Sequence, residues 1–457
     1  MSDTRAAGRL IALAYHPLAR RVAVSFLSRV LGAIANMAFV VYLGRYLGAA
    51  QTGFYMVGLG TATLLSTVGR IGLEQIVIRE GGPLVRDGRW GALRMLHHRS
   101  VTISIRVSVA IAIALGLLAY PIAHYVFHKD GLTAVFQWFA ASVVPLSYAF
   151  MHVPFLQIMQ RAERSIAILS LWIPLVSLPL LLLAHPESGA EGAALYLSAC
   201  IINAGIAWVQ WRRCVPPGTV QCDGASGELR MPLLRPAMPL LIGNIGQMAL
   251  PWIAVFAVGI VASPTAVGAY SVAQRVALTL SGFLVPPIDA IVGPRIAMMR
   301  GVSTREQIEE LVQRISSVLF LVAALAFALI VLFGDQLLGL FGGQFGEGYG
   351  ALVCLTFGQL VIVASGSIRP LLVAHGQEKQ IRNAMIGAAL VCAALCAALL
   401  PFIGPIGAAI ATSFALASEK LVESVVARRM LGISVHPSCG FYTLQLRTWL
   451  QQRRQRH

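Results

Sequence analysis

Ionisable side chains set inside long apolar runs are the residues of this sequence with chemistry to perform. Arg29 stands in the run 22–42, Arg70 and Glu74 in 54–78, and Arg106 in 101–125. Arg275 and Asp289 stand in 268–293, Arg369 in 350–373, and Glu419, Lys420 and Glu423 in 406–427. A charge held in hydrocarbon is costly unless it faces water or a partner, so each needs an account. Arg29 and Arg275 lie about 10 Å into their runs by helical rise. Neither has an acidic residue three or four positions away, so a water-filled interior is expected for both. The guanidinium fork offers paired donors to phosphate oxygens. Arg29, Arg70, Arg275 and Arg369 are therefore candidate ligands for an anionic, phosphate-bearing substrate. Glu74 and Asp289 are candidates for a coupling site that exchanges H+ or Na+.

Structural accounts stand beside these. Arg70 and Glu74 are four apart and can neutralise each other, and Lys420 and Glu423 can do so at three apart. Arg106 and Arg369 lie near the basic ends of their runs, where long side chains reach the headgroups. Asn36, Asn244 and Gln247 either line the same interior or bond between helices.

The elements that position these groups follow from composition. Of 457 residues, 57% are hydrophobic and 12% charged, with mean hydropathy +0.75, against about 25% charged in soluble domains. Only a bilayer can take up so much apolar surface. Roughly 20-residue windows place about twelve spans. They are 22–42, 54–78, 101–125, 133–158, 166–184 and 193–211, then 236–261, 268–293, 315–340, 350–373, 383–403 and 406–427. No cleavage site follows the basic N-terminus, so the first run reads as a membrane helix and not as a removed signal.

Lys and Arg gather on one side of the membrane. Arg5, Arg9, Arg20 and Arg21 lie there, as do the loops carrying Arg86, Arg161, Arg212 and Arg300 and the tail; the other side has Arg45 and Lys129. The bias puts both termini in the cytoplasm. Because the net charge of +16 is spread over such loops, it reports topology and not nucleic-acid binding. The seven cysteines form no CxxC pair or zinc spacing, which suits small apolar filler.

The two halves repeat. Gly53-Phe54-Tyr55 returns as Gly268-Ala269-Tyr270, Glu74-Gln75-Ile76-Val77 as Asp289-Ala290-Ile291-Val292, Gly192-Ala193-Ala194 as Gly407-Ala408-Ala409, and Arg213 as Arg428. Every match is displaced by the same 215 positions. Six crossings return a chain to its starting side, so the repeats are parallel, with substrate expected between them. The expected fold is an all-α polytopic membrane protein of two six-helix parallel repeats around a central cavity. Its parts are a cytoplasmic N-terminal segment (1–21), an N-terminal bundle (22–211), a Pro/Gly-rich cytoplasmic linker (212–235), a C-terminal bundle (236–428) and a basic tail (429–457). The tail mixes aromatic and basic residues, as either a leaflet-bound helix or a disordered segment does.

No Walker loop, HExxH or nucleophile elbow is present, so neither an enzyme nor a cofactor is expected. Transport without an ATP site must draw on a gradient.

Tyr42-Leu43-Gly44-Arg45-Tyr46-Leu47-Gly48, then Gly53-Phe54-Tyr55, then Gly72-Leu73-Glu74-Gln75 with Arg79, resembles the opening of bacterial Wzx-like oligosaccharide flippases. These are polysaccharide biosynthesis proteins of the multidrug/oligosaccharidyl-lipid/polysaccharide exporter (MOP) superfamily. The likeness is close over the first 80 residues or so and topological beyond. It implies a MATE-like fold in the bacterial inner membrane, a cationic lumen and ion-gradient coupling. It also implies a polyprenyl-pyrophosphate-linked glycan as substrate, membrane lipids around it, and polysaccharide assembly proteins as candidate partners. The rival readings are a multidrug or cation exporter of the same superfamily, a membrane glycan polymerase or glycosyltransferase, and a non-transporting scaffold. The short, charge-poor extracytoplasmic loops speak against the polymerase.

Overall fold

A computed structural model of the chain describes residues 17–216, 234–299, 305–366 and 368–433. Residues 1–16, most of the linker (217–233) and the tail from 434 onward lie outside the described residues. Nearly everything described is helix, because backbone groups in lipid must be satisfied within their own segment.

The first helix, α1, runs Pro17–Arg70 with one kink at Gly48, whose φ of 70° and ψ of 175° suit a residue without Cβ. The chain doubles back there: the Phe39 and Tyr55 rings are 5.9 Å apart, whereas a straight helix would hold them about 24 Å apart. This one helical stretch thus makes the first two crossings. The run expected to continue to 78 instead stops at Arg70. Ile71 (φ 47°) and Gly72 (φ 70°) turn left-handed, and a new helix, α2, covers Leu73–Arg86. Glycine takes that conformation freely, whereas a β-branched isoleucine is strained in it.

Next come α3 (Trp90–Val126), α4 (Leu132–Ile158), α5 (Ala162–Ala184) and α6 (Gly189–Cys214). The start of α6 is fixed by the Ser188-Gly189-Ala190-Glu191 sequence. Ser188 Oγ accepts from the Glu191 N–H at 3.2 Å, and the Glu191 carboxylate accepts from the Glu187 N–H at 2.9 Å, a variant of the capping box. Further on lie α7 (Leu234–Val261), α8 (Pro264–Met299), α9 (Arg305–Gly339), α10 (Gly343–Ala364), the short α11 (Ile368–Ala374), α12 (Glu378–Ile403) and α13 (Pro405–Val426).

Among the described residues eight helices are long and apolar enough to cross a bilayer by length and composition. The doubling of α1 and the remaining long helices α7, α8 and α13 complete the expected twelve crossings. Large apolar side chains stand at the surface, Phe402 at 88% and Leu183 at 81% exposure, as they do where lipid is the solvent.

By compactness the chain divides into Met1–Met248 and Ala249–His457. Each unit has its own core, and the repeat is visible in both. Tyr55, 1% exposed, lies edge-on to Tyr196 of α6. Its counterpart Tyr270, also 1% exposed, bonds Thr412 of α13 at 3.2 Å. The breaks are not repeated. The first unit interrupts its second crossing at 71–72, whereas α8 runs on through Pro286 and Asp289. The second unit interrupts its fourth crossing at Gly366 (φ 57°), whereas α4 is continuous.

Candidate functional site

Two buried charge clusters stand out, one in each unit. In the first, Arg70 is 6% exposed and its Nε donates to Glu74 Oε1 at 2.5 Å. Its other nitrogens donate to Ser66 Oγ and Thr67 Oγ1, each at 3.2 Å. The guanidinium lies 5.3 Å from the centre of the Phe150 ring. Glu74 Oε2 accepts from Asn244 Nδ2 at 3.5 Å. The two residues are four apart in sequence, yet helical spacing is not what joins them. The pair closes across the break at Ile71–Gly72, which brings the first turn of α2 back against the last turn of α1. Position also favours the carboxylate, since Glu74 lies in the first turn of α2, where a helix attracts negative charge.

In the second unit Arg369, on α11, bonds Glu419 through Nη2 and Glu423 through Nε, the latter at 3.1 Å. Lys420 Nζ lies 2.5 Å from Glu423 Oε2 and 3.6 Å from Glu419 Oε1. Glu419, Lys420 and Glu423 are 3%, 9% and 1% exposed. Two cations and two carboxylates make a neutral quartet, the form in which buried charge is tolerable. The Lys420–Glu423 pairing expected from spacing is present, and Arg369 is held by carboxylates as well. A cavity of about 380 Å³ adjoins the quartet. Val361, Ile368, Phe414 and Leu421 give it apolar walls, and Lys420 and Ser418 its polar edge.

The remaining candidates are placed singly. Arg29 is exposed on α1 and makes no ion pair among the described residues. Arg106 is exposed on α3. Arg275 is half-buried, 5.9 Å from the centre of the Trp252 ring, a cation–π contact. Asp289 is half-buried in the interior of α8. Asn36 is half-buried on α1, and the side chain of Gln247 lies outside the described residues.

Two polar groups of the first unit are not among the sequence candidates. His97 of α3 and His152 of α4 meet through their Nε2 atoms at 3.2 Å, and His97 stacks on Trp211 of α6 at 4.1 Å. Ser100, Ser104 and Ser108 form a buried hydroxyl face on α3. A helical serine repeat at spacing four is readable in a sequence, but only the packing shows that it faces protein and not lipid.

Long apolar helices and exposed large hydrophobics define an all-helical, multi-pass membrane fold. Solved structures share it. A multidrug resistance MATE family transporter of the MOP superfamily, inward-facing, is similar at TM-score 0.71 with 12% identity, over 90% of this chain and 98% of that one. The lipid II flippase MurJ, inward closed, is similar at 0.67 with 13% identity, over 89% and 87%. A MOP superfamily transporter from Pyrococcus furiosus, described as having a binding pocket of reverse polarity, is similar at 0.57 with 13% identity, over 90% and 95%. At such identities the likeness is one of fold. No curated protein sequence matches the chain. The chain belongs to the polysaccharide biosynthesis protein family, whose model matches residues 18–300. Family, fold and the eight long apolar helices among the described residues together make it a multi-pass membrane protein.

Proposed function

We propose that this protein moves a polyprenyl-pyrophosphate-linked oligosaccharide from the cytoplasmic to the periplasmic leaflet of a bacterial inner membrane. It does so by alternating access, drawing on an H+ or Na+ gradient, in the synthesis of a surface polysaccharide. The observation that carries the reading is the polysaccharide biosynthesis family match over residues 18–300 on a MOP-type fold. The loop bias in Lys and Arg supports an orientation with both termini in the cytoplasm.

Arg29, exposed and outside any ion pair among the described residues, and Arg275 meet the pyrophosphate first. Arg70 and Arg369 are already held by carboxylates and join only by exchanging a carboxylate for a phosphate. Glu74 and Asp289 are the coupling acids.

The test is a deletion strain complemented with wild type, or with an Arg29→Ala, Arg275→Ala double variant that inserts normally. Without the protein, lipid-linked glycan should accumulate on the cytoplasmic leaflet, and the double variant should restore less than a tenth of export. Normal periplasmic glycan in the deletion strain overturns the reading. Efflux of a cationic dye with no glycan defect would establish the multidrug exporter instead.

A further inference from the structure

The third crossing presents a continuous polar face. His97, Ser100, Ser104 and Ser108 recur at helical spacing along α3 over about 16 Å of rise, and all three serines are at most 1% exposed. Ser100 Oγ donates to the Leu96 carbonyl at 2.6 Å. The Oγ atoms of Ser104 and Ser108 are buried with no hydrogen-bond partner. A buried hydroxyl left without a partner is costly, and ordered water is the usual remedy.

The groups opposite are polar too. Ser108 lies so close to Gly69 that a Cβ built there would sit 2.2 Å from Ser108 Oγ and 3.2 Å from Ser147 Oγ. Ser147 Oγ donates to the Ser66 carbonyl at 3.2 Å, and Ser66 Oγ accepts from Arg70. The guanidinium has five N–H groups; three are accounted for by Glu74, Ser66 and Thr67. From Ser104 to Arg70 the seam therefore offers the two to four polar partners that an internal water needs.

At the other end stands the histidine pair. His152 Nδ1 faces the Tyr148 carbonyl at 2.8 Å, and a carbonyl only accepts, so Nδ1 carries the proton. In neutral His152 the Nε2 atom must then accept, and His97 Nε2 must donate to it. This leaves His97 Nδ1 as an open acceptor. Electrostatically, His97 feels His98 and His152. The neighbouring ionisable groups are Arg94 and Arg99 on α3, the Tyr148 phenol on α4 and Arg212 on α6 (stacked on Trp208); α2, packed on α3, carries the exposed Arg79–Glu80 pair. Glu74 faces Arg70 and Asn244.

We propose that the hydroxyl face of α3 holds a file of internal water that carries protons between the His97–His152 pair and Glu74, making the proton the ion that Glu74 exchanges. A proton taken up at His97 Nδ1 is passed from oxygen to oxygen along Ser100, Ser104 and Ser108 and protonates the Glu74 carboxylate beside Arg70. Each transfer makes one O–H or N–H bond as another breaks. The inference rests on Glu74 being the coupling acid.

The experiment follows the infrared band of the protonated Glu74 carboxyl after a pH jump, using purified full-length protein in lipid and the Glu74→Gln variant to identify the band. Wild type should show the band on acidification. Ser104→Ala with Ser108→Ala should slow its appearance tenfold or more at unchanged final amplitude, and Ser104→Thr with native Ser108 should keep the wild-type rate. Single Ser108→Ala, slowed to an intermediate rate, serves if the double variant does not fold. An unchanged rate in the alanine variants overturns the water file alone. No carboxyl band in wild type at any pH overturns the reading of Glu74 as a proton-coupling acid, and the file with it.

Discussion

Replacing Glu423 by glutamine tests whether the quartet of the second unit is a balanced buried charge cluster. Glu423 is 1% exposed and holds Lys420 at 2.5 Å and Arg369 at 3.1 Å. Its loss leaves two cations sharing Glu419, of which Lys420 sits 3.6 Å away. Breaking one side of a buried ion pair costs about 3–5 kcal/mol, since Lys420, 9% exposed, then keeps a charge that only Glu419 offsets. Each kcal/mol is worth about 2–4 °C in a unit of some 200 residues, so Tm should fall by roughly 6–20 °C. The comparison that separates charge from packing is Glu423→Gln with Lys420→Met, which restores neutrality with similar volumes. It should recover at least half of the loss, because a buried pair replaced by well-packed neutral groups is often no less stable. The assay is thermal unfolding of the detergent-purified protein. A single variant within about 1 kcal/mol of wild type, the ceiling expected of an exposed pair, would refute the reasoning. So would a double variant no more stable than the single one.

Gly32→Ala should separate α1 from α5, because the added methyl would sit 2.2 Å from the Ser170 carbonyl oxygen and backbone cannot rotate away; a loss of about 1–3 kcal/mol is expected in the same melt. Gly72→Ala should cost about 1–2 kcal/mol at a φ of 70° and loosen the Arg70–Glu74 contact, which a double-mutant cycle with Glu74→Gln would register as coupling. Burial lowers the pKa of Lys129, so its ammonium loses its proton at a lower pH than an ordinary lysine does. An impermeant amine reagent applied to the periplasmic face across about pH 8–10, just below the ordinary lysine pKa, should label Lys129 at the lower pH values and leave Lys379 untouched. Labelling of Lys379 alone would invert the proposed orientation.

Crossings and repeat were legible in the sequence because both are written in one dimension. A run of apolar residues has the length of a membrane, and Tyr55 and Tyr270 keep their displacement whatever the fold does. The quartet was only half legible. Lys420 and Glu423 are helical neighbours, but Arg369 reaches Glu419 across 50 positions and Glu423 across 54, through the packing of α11 on α13. The same limit hid His97 and His152, which are 55 positions apart. Glu74 is the instructive case. Its pairing with Arg70 was anticipated from a continuous helix, and the structure forms that pair through a helix break instead. Gly72 carried the signal for the break, since glycine inside an apolar run is tolerated in membrane helices and equally able to end one.

The connector at Gly48 has a mechanical corollary. Two neighbouring crossings are joined by the dihedral angles of one residue, with no slack to pay out between them. A displacement of the first crossing along the membrane normal must drag the second with it, and the freedom that remains is a change of angle about that single vertex. The first two crossings are a pair of compasses, and a loop insertion at their apex would cut the linkage while leaving both arms intact.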